Sequence, residues 1–221
     1  MQKVKFHEFS VLEHNRPDYQ FARAILKYRP EFLFLEIGSS TGNPDTIFNR
    51  YSPNKKPLRE VRKIQAALRR NAKRFRYAKS NVLMWDNIVK LWKEGHDVLV
   101  FNTDSPDELR REFFEVWNHM YPDAKKNWLW WVRIYLRERY MARNIQWAIK
   151  HYPRKKQSVA LVQFGGFHWR HVKFLLNRPS KKEVWNYYFK KFSEISPVTI
   201  EPKIREQNKV FHKYWRKISK F

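Results

Sequence analysis

The chain has 221 residues, 43% of them hydrophobic and 17% aromatic, no cysteine, and 46 Lys and Arg against 21 Asp and Glu, a formal charge of +25. This excludes a disordered polyelectrolyte, because the apolar content can bury one sizeable core, and it excludes disulfides, thiolate metal sites and a cysteine nucleophile. No apolar run approaches the ~18 residues of a spanning helix, and Met1-Gln-Lys-Val-Lys-Phe-His7 carries no apolar signal core, so a soluble, cytoplasmic protein without a membrane span is expected.

The positive excess sets up a long-range field that favours polyanions, either nucleic acid or another anionic ligand. High charge without cysteine also accompanies thermophilic proteins, although ion-pair networks need both signs.

In chain order, Val4 to Glu13 alternates weakly and predicts a strand. Asp18 to Tyr28 predicts a helix, with Phe21, Ala24, Ile25 and Tyr28 on one face. After Pro30, Phe32-Leu-Phe-Leu-Glu-Ile37 predicts a fully buried strand, and Gly38 to Asp45 a loop. Helices are expected over about 57–79 and 82–94, the second ended by Gly95, and a strand over Asp97–Asn102. Ser105-Pro106 opens a helix, since proline suits the first turn. The longest helix is expected over about 124–151, followed by a strand over 158–164, the corner Gly165-Gly-Phe-His168, and a helix from His168 to Leu176. Ser180-Lys-Lys-Glu183 resembles a capping box ahead of Val184–Phe189. Strands alternating with helices imply a single α/β domain over 1–221, with a mostly parallel or mixed sheet flanked by helices on both faces. Within it, 55–79 is a basic helical insertion and 205–221 a basic helix or tail.

Three strand ends carry chemistry. The first strand ends on Glu13 and His14, the second on Glu36, and the last on the glycine corner before His168. Sites in α/β sheets collect beyond the carboxyl ends of strands. If these strands are parallel neighbours, two histidines and a carboxylate converge there, able to hold a divalent ion or to pair a histidine base with an acid. The plainer alternatives are that Glu36 caps its loop and that His14 pairs with Asp18. Asp104 contacts substrate or caps the following helix, the cap being favoured. On the long helix the apolar stripe Trp128, Trp131, Tyr135, Ala142, Ile145 and Ile149 also contains Glu138. A carboxylate on a buried stripe needs a partner, and Arg137 is adjacent. The alternative is a helix edge where Glu138 reaches water. The densest basic stretch carries Arg62, Lys63, Arg69, Arg70, Lys73, Arg74 and Arg76, with Val61, Ile64, Leu68 and Phe75 near one face. It is either a solvated helix face or a polyanion-binding surface.

Arg137-Glu-Arg-Tyr-Met-Ala-Arg-Asn-Ile145, then a strand and Gly165-Gly-Phe-His168, resembles the Tiki/TraB, ChaN and erythromycin-esterase-like superfamily. Its members carry an Arg-Asp-x-x-Met-Ala-type helix, then a strand ending in a Gly-x-x-His-type motif. Val11-Leu-Glu-His14 and Pro30–Glu36 stand where the superfamily has its N-terminal histidine motif and its glutamate-ended strand. The resemblance covers roughly residues 4–176. Two positions depart from it: valine stands at 11 where glycine is usual, and Glu138 stands where aspartate is usual. It implies an α/β fold of the erythromycin-esterase and ChaN kind. Activities differ among members: metal-dependent peptidases, metal-free hydrolases with a histidine base, and haem binders.

The expected mechanism is hydrolysis of a peptide or ester. His14, Glu36 and His168 would hold a divalent ion (Mn, Co, Zn or Fe) that lowers the pKa of a bound water, with Arg137, Glu138, Gly165 and Gly166 around it. Without metal, His14 would act as base, helped by Glu13 or Glu36. The alternative from another class is a non-catalytic basic protein that binds nucleic acid or another polyanion around a degenerate site. The aromatic residues also allow an oligomer interface.

Overall fold

The computed structural model describes residues 3–11, 18–36, 55–72, 76–104, 128–152, 157–165 and 168–190. Expectations that fall on Glu13, His14, Lys73, Arg74, Gly166, the helix opened by Ser105-Pro106 and the segment 205–221 lie outside them. The chain divides into two compact units, where the sequence points to one domain. The first comprises Met1–Arg110 and Arg137–Asn177, the second Arg111–Leu136 and Arg178–Phe221.

The first unit is built on a four-stranded sheet of β1 (Lys3–Val11), β2 (Phe32–Leu35), β3 (Leu99–Asn102) and β4 (Gln157–Gly165). The strand order is β1-β4-β2-β3 and every pairing is parallel. All four carboxyl ends therefore lie along one edge, with Val11 opposite Gly165 and Leu35 between Gln163 and Asn102. β2 and β3 are shorter than expected, so Glu36 follows β2 rather than closing it; its N–H still donates to Gln163 O at 3.0 Å.

The alternation Phe-Leu-Phe-Leu in β2 sorts the two faces of the sheet, because successive strand residues point opposite ways. Leu33 and Leu35, with Val100 and Leu161, join an aliphatic cluster containing Phe21, Ile25, Val61, Trp85 and Ile88. These come from α1 (Tyr19–Tyr28), α2 (Lys55–Ala72) and α3 (Arg76–Lys93). Phe32 and Phe34 stack on each other and on Phe101 on the opposite face, where Phe6 and Phe164 meet Trp169. Trp169 belongs to α5 (His168–Leu176), and Tyr152, at the end of α4 (Trp128–His151), packs on Phe101. The result is an α/β sheet with helical elements on both faces.

Local signals account for several boundaries. Asp18 is the N-cap of α1, its Oδ1 accepting from Phe21 N at 2.9 Å. Its other oxygen accepts from Gln163 Nε2 at 3.0 Å; the alternative pairing of Asp18 with His14 falls outside the described residues. Gly95, at φ 78°, ends α3 in a Schellman turn: His96 N–H donates to Leu91 O and Gly95 N–H to Trp92 O. The junction between α2 and α3 falls at 72–76 rather than at 79–82. Ser80, which falls between the two expected helices, is buried inside α3 at 4% exposure. Within the basic stretch, Val61 of α2 is fully buried in the aliphatic cluster.

In the second unit, Ser180 and Glu183 form the expected capping box of α6 (Lys181–Tyr188): Ser180 N–H donates to Glu183 Oε2 at 2.7 Å, and Glu183 N–H to Ser180 Oγ at 3.3 Å. These bonds hold the Glu183 carboxyl below its ordinary range. The first turns of α4 belong here, and Tyr135 meets Tyr188 and Phe189 edge-on.

Candidate active site

At the carboxyl edge of the sheet, Glu36 follows β2, Asp104 follows β3 and Gly165 closes β4. Arg137 and Glu138 come from α4, and His168 and His171 from α5. Adjacent strands and the parallel order bring these residues together from distant parts of the chain, all within the first unit.

Arg137 is the hub, only 4% exposed. Its Nε donates to Asp104 Oδ1 and its Nη2 to Asp104 Oδ2, both at 2.8 Å, a side-on fork. Nη2 also donates to Glu36 Oε1 at 2.7 Å. Nη1 lies 3.3 Å from His168 Nε2. Burial alone would lower the guanidinium's pKa. The hydrogen bond and charge of Asp104, with the charges of Glu36 and Glu138, outweigh it and hold the pKa above its ordinary value.

Glu138 is fully buried, and its partners explain how a carboxylate lies on an apolar stripe. Its Oε1 is 2.9 Å from His168 Nδ1, and its Oε2 is 3.1 Å from His171 Nδ1. Glu36 completes the edge by accepting the backbone N–H of Gly165. Asn144 Nδ2 donates to Thr103 O at 3.2 Å, tying α4 to the chain beside Asp104.

These partners fix the tautomer of His168. A guanidinium has only donors, so Nε2, facing Nη1, presents its lone pair. A carboxylate accepts, so Nδ1 carries the proton toward Glu138. In this arrangement the accepting nitrogen of the imidazole lies beside Arg137. Three carboxylates (Glu36, Asp104 and Glu138) surround one guanidinium and two imidazoles, so positive charge arising on an imidazole is compensated.

The geometry can be set against the expected site. Glu36, His168, Arg137, Glu138, Gly165 and Asp104 are brought together. Arg137 and Glu138 touch Glu36 and His168 directly, as groups that orient those two side chains would. The Asp104 carboxylate is engaged by the Arg137 fork, while its backbone N–H is held by Asn102 Oδ1 at 3.1 Å. His171 was not anticipated, although its signal was present: it lies one helical turn after His168 on the same helix.

Two of the three expected metal ligands, Glu36 and His168, are already engaged by Arg137. His168 Nε2 and Glu36 Oε1 are 3.8 Å apart, and both face the Arg137 guanidinium. A divalent ion on this pair would share its ligands with a buried cation. Among the described residues no group of three His, Asp or Glu side chains is arranged to hold a metal. The third expected ligand, His14, lies outside them.

On α4 just beyond the site, burial pushes the Tyr140 phenol up to about 12, with Arg143 opposing. The folded value lies above the ordinary one of ~10. Its contribution to stability is therefore whole below about pH 10 and is lost as pH rises through about 12. The urea midpoint should fall across that window, and less steeply in Tyr140→Phe.

No family model matches the chain, nor does any curated protein or any solved structure.

Proposed function

We propose that the chain is a metal-independent hydrolase of esters or peptides, akin to the histidine-base members of the superfamily its motifs resemble, with His168 as general base. The observation that carries this reading is the Glu138–His168–Arg137 arrangement. A buried carboxylate holds Nδ1–H, leaving Nε2 as the proton acceptor beside a fixed cation.

The Nη1–Nε2 contact, at 3.3 Å, is longer than the bonds of Arg137 to Asp104 and Glu36, so it yields to water before they do. Water between Nε2 and a substrate carbonyl gives its proton to Nε2 as its oxygen adds to the carbonyl carbon. Glu138 keeps Nδ1–H and stabilises the imidazolium. Nη1, released from Nε2, donates to the oxygen that becomes the oxyanion. Collapse of the tetrahedral intermediate breaks the bond to the leaving group, which takes the proton from Nε2.

The test is turnover of a panel of chromogenic esters and peptide amides by protein stripped with a strong chelator. Turnover that survives stripping supports the reading. Turnover that disappears and returns with a divalent metal overturns the metal-free mechanism. Absence of turnover across the panel overturns the hydrolase in favour of a non-catalytic protein.

A further inference from the structure

A second charged feature lies away from the sheet edge, between α2 and α3. A groove of about 670 Å³ there is lined by Arg62, Gln65, Arg69, Asp86, Lys90 and Lys93, with Val89 and Trp92 also at its wall. Four cations and one carboxylate give it a net charge of +3. The carboxylate is already satisfied: Asp86 Oδ1 accepts from Gln65 Nε2 at 2.7 Å and from Arg69 Nη2 at 2.9 Å. Among the described residues Arg62, Lys90 and Lys93 have no acidic partner. Arg59, Lys63 and Arg70 are also exposed on α2.

We propose that this groove binds the phosphodiester backbone of a single-stranded nucleic acid, independently of the hydrolase reading of the sheet edge. Three features select this occupant. The cations are strung out rather than converging: Arg62 and Arg69 lie seven residues apart on α2, roughly 10 Å along its axis. That suits a chain of phosphates better than one small anion. The surface is concave, and among the described residues none of the exposed large hydrophobics, Tyr19, Trp147, Trp185 and Tyr187, lines it, so its described wall offers no insertion into a lipid surface. The Trp92 ring is buried at 5% exposure and its Nε1 donates to Val98 O at 2.9 Å. It provides no stacking platform for bases, so the contact is to the backbone and independent of sequence. The net charge of +25 supplies the field that draws a polyanion to the groove. Arg62 and Arg69 thus belong to the proposed surface, Lys63 and Arg70 are exposed on α2 without lining it, and the Arg76 side chain, with Lys73 and Arg74, lies outside the described residues.

The test compares two variants of equal charge by fluorescence anisotropy with labelled oligothymidylate and oligouridylate. One carries Arg62→Gln, Lys90→Gln and Lys93→Gln. The other carries Lys150→Gln, Arg170→Gln and Lys173→Gln at exposed positions that do not line the groove. The groove variant should lose roughly ten- to a hundredfold in affinity at about 0.1 M salt. Its log–log salt slope should become shallower by about 2, since each neutralised phosphate of a single strand contributes about 0.7. The control variant should keep most of the affinity, and both should melt like the parent chain. Equal losses in the two variants would assign binding to diffuse charge and overturn the proposal, as would no binding by the parent chain. Phosphatidylserine vesicles that depend on the groove while the oligonucleotides do not would overturn it in favour of a membrane surface.

Discussion

Arg137→Met is expected to destabilise the first unit by about 3–5 kcal/mol, the range for removing one partner of a buried ion pair. The loss does not come from packing, because methionine fills much of the same volume. It comes from what remains: Asp104 at 2% exposure and Glu36 at 8%, both facing space that held their cation. An unpaired buried carboxylate keeps its desolvation cost without compensation. The cost should therefore shrink when the orphaned charge is also removed. Asp104→Asn in the Arg137→Met background should recover part of the stability, even though Asp104→Asn alone is destabilising. Arg137→Lys should restore little, because an ammonium cannot reproduce the side-on fork to Asp104. Urea unfolding followed by tryptophan fluorescence reads all four proteins. A loss below about 1 kcal/mol in Arg137→Met would mean that the network contributes little and that Glu36 and Asp104 find other partners.

His168→Gln is expected to lower kcat/KM on whichever ester or peptide is turned over by roughly 10²- to 10⁴-fold, the contribution of a positioned general base. Glutamine keeps polarity and approximate volume but has no basic nitrogen. Glu138→Gln should act through the histidine. The new amide can offer its N–H to Nδ1, which moves the imidazole proton to Nε2 and removes the acceptor. Its loss should approach that of His168→Gln, and the double variant should lose little more than either single one, because both remove the same proton acceptor. If the double variant loses the product of the two single losses, Glu138 has a role separate from His168. If His168→Gln stays within about threefold of the parent, His168 is not the base.

Much of the fold was legible because it rests on local rules. Phe32-Leu-Phe-Leu35 marked a strand buried on both faces, and the structure sorts its phenylalanines and leucines onto opposite sides. Gly95 and the Ser180–Glu183 pair end and begin helices as their chemistry dictates. Glu138 was conspicuous on an apolar stripe because a buried carboxylate must have partners, and its partners prove to be histidines.

What was not legible depends on which strands are neighbours. The order β1-β4-β2-β3 puts β2 beside β4, so Glu36 meets the N–H of Gly165, a residue 129 positions away. Local periodicity says nothing about that adjacency. The same adjacency decides that Arg137 reaches both Glu36 and Asp104, which turns an expected metal-binding edge into one occupied by a guanidinium. For Asp104, the proline at 106 pointed to a cap on a helix that lies outside the described residues, while its fork with Arg137 spans 33 residues and has no local sequence signal. Where a break was expected between 79 and 82, α3 runs on with Ser80 buried, since an apolar interior overrides a weak local propensity.

The resting state of His168 is the centre of this account, and nitrogen-15 NMR of histidine-labelled protein reads it directly. At neutral pH the His168 pattern should show Nδ1 protonated and Nε2 bare, and Glu138→Gln should move the proton to Nε2. A native protein in which His168 carries its proton on Nε2 would contradict the account, because no basic nitrogen would then face Arg137.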